Sequence, residues 1–235
     1  MPERLTLFVA AEKREFDGIL QIVSPHPLHW GLQFACEAEF NGSIAVFVAN
    51  GPGVDLAGAA ADAVRQRVKP DTVVSTGFCG ALDRDLNLGD ILIATSVLDI
   101  GNGRMYPALQ PRESAQVRSG AVVCSPRVAV TRDEKRELRA TGAVAVEMEA
   151  SAIASRAHQW RAGFYCIRAV TDLADQDFPV DFNRMRDRAG RFSRSRIAAA
   201  AIARPWSRIP GLIGLERGCR AASRSLGEFF ANCTL

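Results

Sequence analysis

Five short runs of continuously apolar, β-branched-rich residues punctuate the chain: Leu5–Ala10, Ile44–Ala49, Thr72–Thr76, Asp90–Val97 and Tyr165–Val170. Runs that do not alternate with polar residues mark strands covered on both faces. Between them, Val54–Val68 has helical spacing with Asp55 in its first turn, and Ala145–Trp160 predicts a second helix. Strands alternating with helices predict an α/β fold, a three-layer αβα domain around a mixed central sheet. The stretch Gly101–Gly120, with its Gly, Pro, Asn and Arg, predicts a loop able to cover a pocket. From Phe192 the pattern changes. Arginines there mix with Ile197, Ala201, Ile202, Trp206, Ile209, Leu212, Ile213 and Leu215, interrupted by Pro205 and Pro210, which predicts a basic helical tail. The expected organisation is one domain over residues 1–183 and an Arg-rich C-terminal helical extension over 184–235.

Charge sharpens that division. The net charge is +3, yet residues 184–235 hold eleven arginines against three acidic residues, so the first 183 residues are acidic on balance. A basic amphipathic segment with a Trp can make peripheral contact with an anionic membrane; it can equally pack on the domain with a solvated Arg face. No aromatic-interleaved basic motif accompanies the charge, so nucleic acid is not an expected partner. At 235 residues and 48% hydrophobic content the chain can bury a sizeable core as a soluble globular protein. No N-terminal signal is visible, and no run reaches the roughly 18 apolar residues of a membrane span. Cys36, Cys79, Cys124, Cys166, Cys219 and Cys233 are scattered without metal-ligand spacing and read as buried thiols in a reducing cytoplasm. His26, His29 and His158 lack metal-ligand spacing as well, so neither metal nor cofactor is expected.

Chemistry in such sheets gathers at the carboxyl ends of strands. Four segments lie there: Ala10-Ala11-Glu12-Lys13-Arg14-Glu15, Asn50-Gly51-Pro52-Gly53, Gly77-Phe78-Cys79-Gly80-Ala81-Leu82 and Thr171-Asp172-Leu173-Ala174-Asp175. Glycines at such places let backbone approach a ligand closely. A fifth segment, Ala145–Ile153 (AVEMEASAI), sets two carboxylates in a run of small apolar residues. A buried unpaired carboxylate is costly, so Glu149 is expected to hold a hydrogen-bonding partner.

Together these segments resemble the purine nucleoside phosphorylase and 5′-methylthioadenosine/S-adenosylhomocysteine nucleosidase superfamily, from about Leu5 to Asp175. The carriers are Val73–Leu82 (VVSTGFCGAL) with Leu88-Gly89-Asp90-Ile91, then AVEMEASAI, then Arg168–Asp175 (RAVTDLAD). The resemblance implies cleavage of a nucleoside's N-glycosidic bond by a homo-oligomer, a dimer. It implies Asp172 as the acid that protonates purine N7, Glu149 as acceptor for the ribose hydroxyls, Met148 against the ribose and Glu147 at the pocket's edge. Val146, Thr171, Gly80, Cys79 and Phe78 are the remaining substrate-binding positions. Read from the residues alone, Asp172 could close a turn and Met148 could fill core.

The phosphorylases hold phosphate with an Arg and a hydroxyl residue around the central glycine, where this chain has Ser75 and Phe78. Neither supplies a cation. The nucleosidases instead use a Glu just after the first strand to deprotonate water, so the resemblance implies water as nucleophile and Glu15 as its base, with Glu12 the nearby alternative; a solvated charge is the other reading of Glu15. A phosphorylase using Arg14 or an Arg from a neighbouring subunit, and a non-catalytic nucleoside-binding module, stay open. Phe78 and Cys124-Ser125-Pro126-Arg127-Val128, which lacks the aromatic that sandwiches adenine in the nucleosidases, depart from the pattern. Together with the basic tail they resemble the hopanoid-associated branch. The candidate substrates are a small adenine nucleoside, methylthioadenosine or S-adenosylhomocysteine, and a lipid-linked adenosylhopane. The implied location is cytoplasmic, with a peripheral position on the inner membrane for the second.

Overall fold

Strand Leu5–Ala10 (β1) divides its side chains between two cores, and the rest of the chain is arranged around that division. Leu7 and Val9 face one buried cluster, Phe8 and Ala10 the other. The computed structural model describes residues 4–112, 117–187 and 189–235. After β1 come a 3-10 turn at Lys13–Phe16, α1 (Asp17–Leu20), β2 (His26–Pro27), β3 (Phe34–Phe40), β4 (Ser43–Ala49), α2 (Val54–Arg65), β5 (Thr72–Ala81), β6 (Ile91–Asp99) and β7 (Met105–Pro107). There follow β8 (Arg118–Cys124), α3 (Arg132–Arg139), β9 (Ala145–Glu147), α4 (Ala150–Trp160), β10 (Gly163–Asp172), α5 (Arg194–Ala203) and α6 (Pro205–Ala231).

The sheet is mixed. β1 lies between β4 and β5, parallel to both. β5 then runs parallel to β10, and β10 pairs antiparallel with β6. β6, β8 and β9 are parallel, and β9 returns to pair antiparallel with β5, so this half of the sheet closes on itself. β2 and β3 form the antiparallel edge. Helices α2 and α4 cover one face through Ala57, Ala60, Ala61, Val64, Ile153 and Ala157. On the other face Phe16, Ile19, Ala222, Leu226 and Phe230, from the 3-10 turn, α1 and α6, bury Phe8 and Phe47. This is the expected α/β three-layer arrangement.

Three local expectations change. AVE in AVEMEA is strand and not the start of a helix, because Val146 pairs with both Gly80 and Val123 and so sits between two partners. The segment Gly77–Ala81 continues β5, where a loop is expected, because β10 pairs alongside it with a register shift near Asp172. Within Gly101–Gly120, β7 and the start of β8 pair with β6, and residues 113–116 lie outside the described residues.

The tail packs on the domain, one of the two placements its pattern allows. Its last half carries Cys219, Ala222, Leu226 and Phe230 into the second core, and Phe230 meets Phe8 edge-on at 5.3 Å. α6 continues through Pro210, which removes one helical hydrogen bond, since tertiary packing holds its C-terminal half. No helix of the described residues is long and apolar enough to cross a membrane. The crossing of α1 and α6 is made by glycines: a Cβ at Gly227 would lie 2.5 Å from the carbonyl carbon of Gly18, whose N–H donates to the Ser223 hydroxyl at 3.0 Å. Gly227→Ala is expected to lower stability by about 1–3 kcal/mol through overpacking, seen as a fall in the urea midpoint with an unchanged slope.

Candidate active site

The 3-10 turn after β1 places Glu15 behind the sheet's upper edge, anchored by its neighbour Phe16 packed against Phe47 at 5.5 Å. The carboxylate turns inward and accepts the Ala11 N–H at 3.2 Å. Room for it exists because residue 77 is glycine: its φ is +131°, and a Cβ there would lie 2.0 Å from Glu15 Oε2. The β5–β10 register sets Arg168 directly beside Gly77. Arg168 is fully buried, and its guanidinium donates to the Thr76 carbonyl at 2.8 Å, the Ser75 hydroxyl at 2.7 Å and Glu147 Oε2 at 2.5 Å.

Glu147 lines the cavity but is buried in its wall and not exposed at its rim. Only 4% exposed, it pairs with Arg168 and accepts the N–H groups of Glu149 and Ala150 at 2.9 and 2.8 Å, capping the start of α4 with a carboxylate. Glu149 stands at the N-cap of α4, where Oε1 accepts the Gly53 N–H at 2.8 Å and Oε2 lies 4.0 Å from Arg168. One guanidinium thus faces three buried carboxylates. Burial holds the Glu15 carboxyl well above its ordinary value, the charge of Glu149 adds to this, and Arg168 pulls against both. Burial and the charge of Glu147 push Glu149 up to about 7.

Across the site, Asp172 ends β10 only 3% exposed. Its Oδ1 accepts the Thr171 hydroxyl at 2.8 Å and its Oδ2 the Lys135 ammonium at 2.5 Å. Burial raises this carboxyl above the usual range while Lys135 and the hydrogen bonds oppose the rise. Gly80 leaves space at Asp172 as Gly77 does at Glu15. Three residues of extended strand set these places ~10 Å apart.

All of the expected site residues line one cavity of about 450 Å³: Glu15, Phe78, Cys79, Gly80, Val146, Glu147, Met148, Glu149, Thr171 and Asp172. Glu12 is also in the wall but is tied to Arg14 at 2.6 Å, and Asp175 pairs with Arg84 on the surface at 3.1 Å. Two things escaped the sequence reading. Arg168 interrupts the apolar run Cys166–Val170, a signal that a buried charge needs partners. The far wall, with Phe178, Phe182, Phe192, Ile197, Leu212 and Leu215, gave no separate signal. Of the tail, α5 and α6 supply part of this wall.

Fold and site together define an α/β protein of the nucleoside phosphorylase kind, with acidic side chains at both ends of a ligand-sized cavity. A family model described as the phosphorylase superfamily matches residues 31–203, and the chain belongs to that superfamily. The 5′-methylthioadenosine/S-adenosylhomocysteine nucleosidase of Bacillus thuringiensis (strain Al Hakam) is 28% identical over 200 residues, covering 71% of this chain and 84% of its own. The Helicobacter pylori nucleosidase of the same name, complexed with a substituted pyrrolidin-3-ol, superposes with a TM-score of 0.72 at 13% identity over 99% of this chain and 98% of its own. That of Neisseria meningitidis, in complex with methylthio-immucillin-A, gives 0.69 at 22% identity over 97% and 99%. These structures share the fold.

The carboxylates raised by burial bind protons more tightly folded than unfolded, so they cost stability as pH rises from the ordinary carboxylate value to beyond about 7. Glu149→Gln removes one such group. The urea midpoint of the variant is expected to fall less than that of the wild type between pH 5 and pH 8; an equal fall in both would contradict the placement of Glu149's proton.

Proposed function

We propose that the chain is an N-glycosyl hydrolase that releases adenine from an adenine nucleoside, with water as nucleophile. Glu15 takes the proton of water, Glu149 accepts the ribose hydroxyls and favours the cationic sugar of the transition state, and Asp172 protonates the departing purine. The observation that carries this reading is the occupancy of the cations near Glu15. Arg168 is committed to Ser75, Thr76 and Glu147, and Arg14 is committed to Glu12 at 2.6 Å and faces Glu216 at 3.7 Å. Neither offers the bidentate fork an anionic nucleophile needs. The 28% identity to a nucleosidase supports the same reading. Burial makes the Glu15 carboxylate a stronger base than an exposed glutamate, and activity is expected to fall as acid protonates it.

The finer part of the proposal is the 5′ group. The apolar far wall of the cavity favours an uncharged substituent, either the thioether of methylthioadenosine or the lipid of adenosylhopane. A specific observation keeps the second: Ile202, Trp206, Ile209 and Ile213 are exposed on α5 and α6, among Arg204 and Arg208, on the helices that also line the cavity. That arrangement fits peripheral contact with an anionic bilayer. A cytoplasmic homodimer completes the reading.

The test is a panel of methylthioadenosine, S-adenosylhomocysteine, inosine and adenosylhopane in phosphate-free buffer. Free adenine is expected from at least one adenine nucleoside, and a strict requirement for phosphate would defeat the hydrolase reading. Asp172→Asn is expected to lose about 10²–10⁴-fold in turnover while remaining folded, measured by adenine release and thermal melting.

A further inference from the structure

Helix α3 reads RDEKRELR, and one residue of it is buried: Lys135, at 1% exposure. A solvated surface helix has no reason to send a lysine inward, since an ammonium loses its hydration on burial and recovers the cost only with close partners. Lys135 has them at the leaving-group end of the cavity. Its Nζ donates to Asp172 Oδ2 at 2.5 Å and to the Leu173 carbonyl at 2.6 Å, and lies 5.3 Å from the centre of the Phe178 ring. The helix is pinned for this purpose by a full capping box, with Thr131 and Glu134 each satisfying the other's backbone N–H.

The charges around the pair are paired elsewhere. Arg132 holds Asp177, Arg127 holds Glu134, and Arg139 holds Asp83. Among the described residues, Cys79 and Cys219 are the other titratable groups near Asp172, and burial keeps them as thiols. Thr171 occupies the second Asp172 oxygen as a donor. Both oxygens of Asp172 therefore accept hydrogen bonds, which leaves the nearest transferable proton on Lys135.

We propose that Lys135 is a positioning residue for the leaving group: the resting pair is an ammonium with a carboxylate, and Lys135 is the source of the proton that Asp172 hands to the purine. This inference rests on the hydrolase reading above. As the C1′–N9 bond breaks, its electron pair goes to the purine. A proton moves from Lys135 Nζ to Asp172 Oδ2, and from Asp172 to purine N7. Asp172 ends as a carboxylate and Lys135 as a neutral amine. The attacking water bonds to C1′ and gives its proton to Glu15, and proton exchange through solvent from Glu15 to Lys135 restores both groups after product leaves.

The experiment compares wild type, Lys135→Met and Lys135→Gln on the best adenine nucleoside and on 4-nitrophenyl β-riboside, whose leaving group needs no proton, from pH 5.5 to 9.5. Both variants are expected to lose ~10²-fold in adenine release at pH 8.5 and less at pH 5.5, because acid increases the protonated share of an Asp172 carboxyl that burial already raises. Their loss on the nitrophenyl riboside is expected to be at least tenfold smaller. Equal losses on both substrates at every pH, or no loss, would overturn the proposal and leave Lys135 a packing residue. The wild type supplies a second reading should the variants not fold: the solvent deuterium isotope effect is expected to be larger on adenine release than on cleavage of the nitrophenyl riboside, and equal effects would also overturn it. A wild type that releases no adenine would instead defeat the hydrolase reading itself.

Discussion

A single buried guanidinium governs the catalytic side of this molecule. Arg168 emerges from the middle of an apolar strand, fully buried, and is held there by the pairing of β10 with β5. Its charge is enough for one carboxylate, and Glu147 takes it through the shortest contact. Glu149 and Glu15 are left under-compensated in the same low-dielectric space, so they cling to protons. Hydroxyl donors are the groups that such under-compensated carboxyls accept from most readily. Removing Arg168 would strand three buried acids, a change far costlier than the loss of one ion pair.

The opposite end of the cavity repeats the logic with other residues. Asp172 is a buried acid answered by a buried base, Lys135, and by the Thr171 hydroxyl. Between the ends the cavity is bounded by Met148, Phe78 and the apolar residues of the loop and helices that follow β10. α6 links the parts. Its buried face supports α1 below the turn that carries Glu15, while its first half closes the wall of the cavity. The cavity wall and the second core therefore draw on the same helix.

Much of this is legible in the chain because it is local. β1 has the bounds its apolar run predicts, and Glu15, Glu149 and Asp172 follow from strand ends and from the AVEMEA segment. What is not legible depends on distant partners. AVE becomes strand because β5 and β8 flank it, and the glycine segment after Thr76 stays extended because β10 runs beside it. Lys135 lies in a helix of almost unbroken charge, where no local pattern marks one lysine as buried. The C-terminal helix packs with its arginines on the face turned away from Leu226 and Phe230, the packed placement that its pattern offers beside a membrane one.

The central claim is that the acidic end of the cavity activates water and excludes an anionic nucleophile. Single-turnover cleavage in ¹⁸O-water, with phosphate present at a concentration well above cellular levels, tests it directly by mass spectrometry of the sugar product. The account predicts a free sugar bearing one ¹⁸O at C1′. An unlabelled sugar 1-phosphate would contradict it.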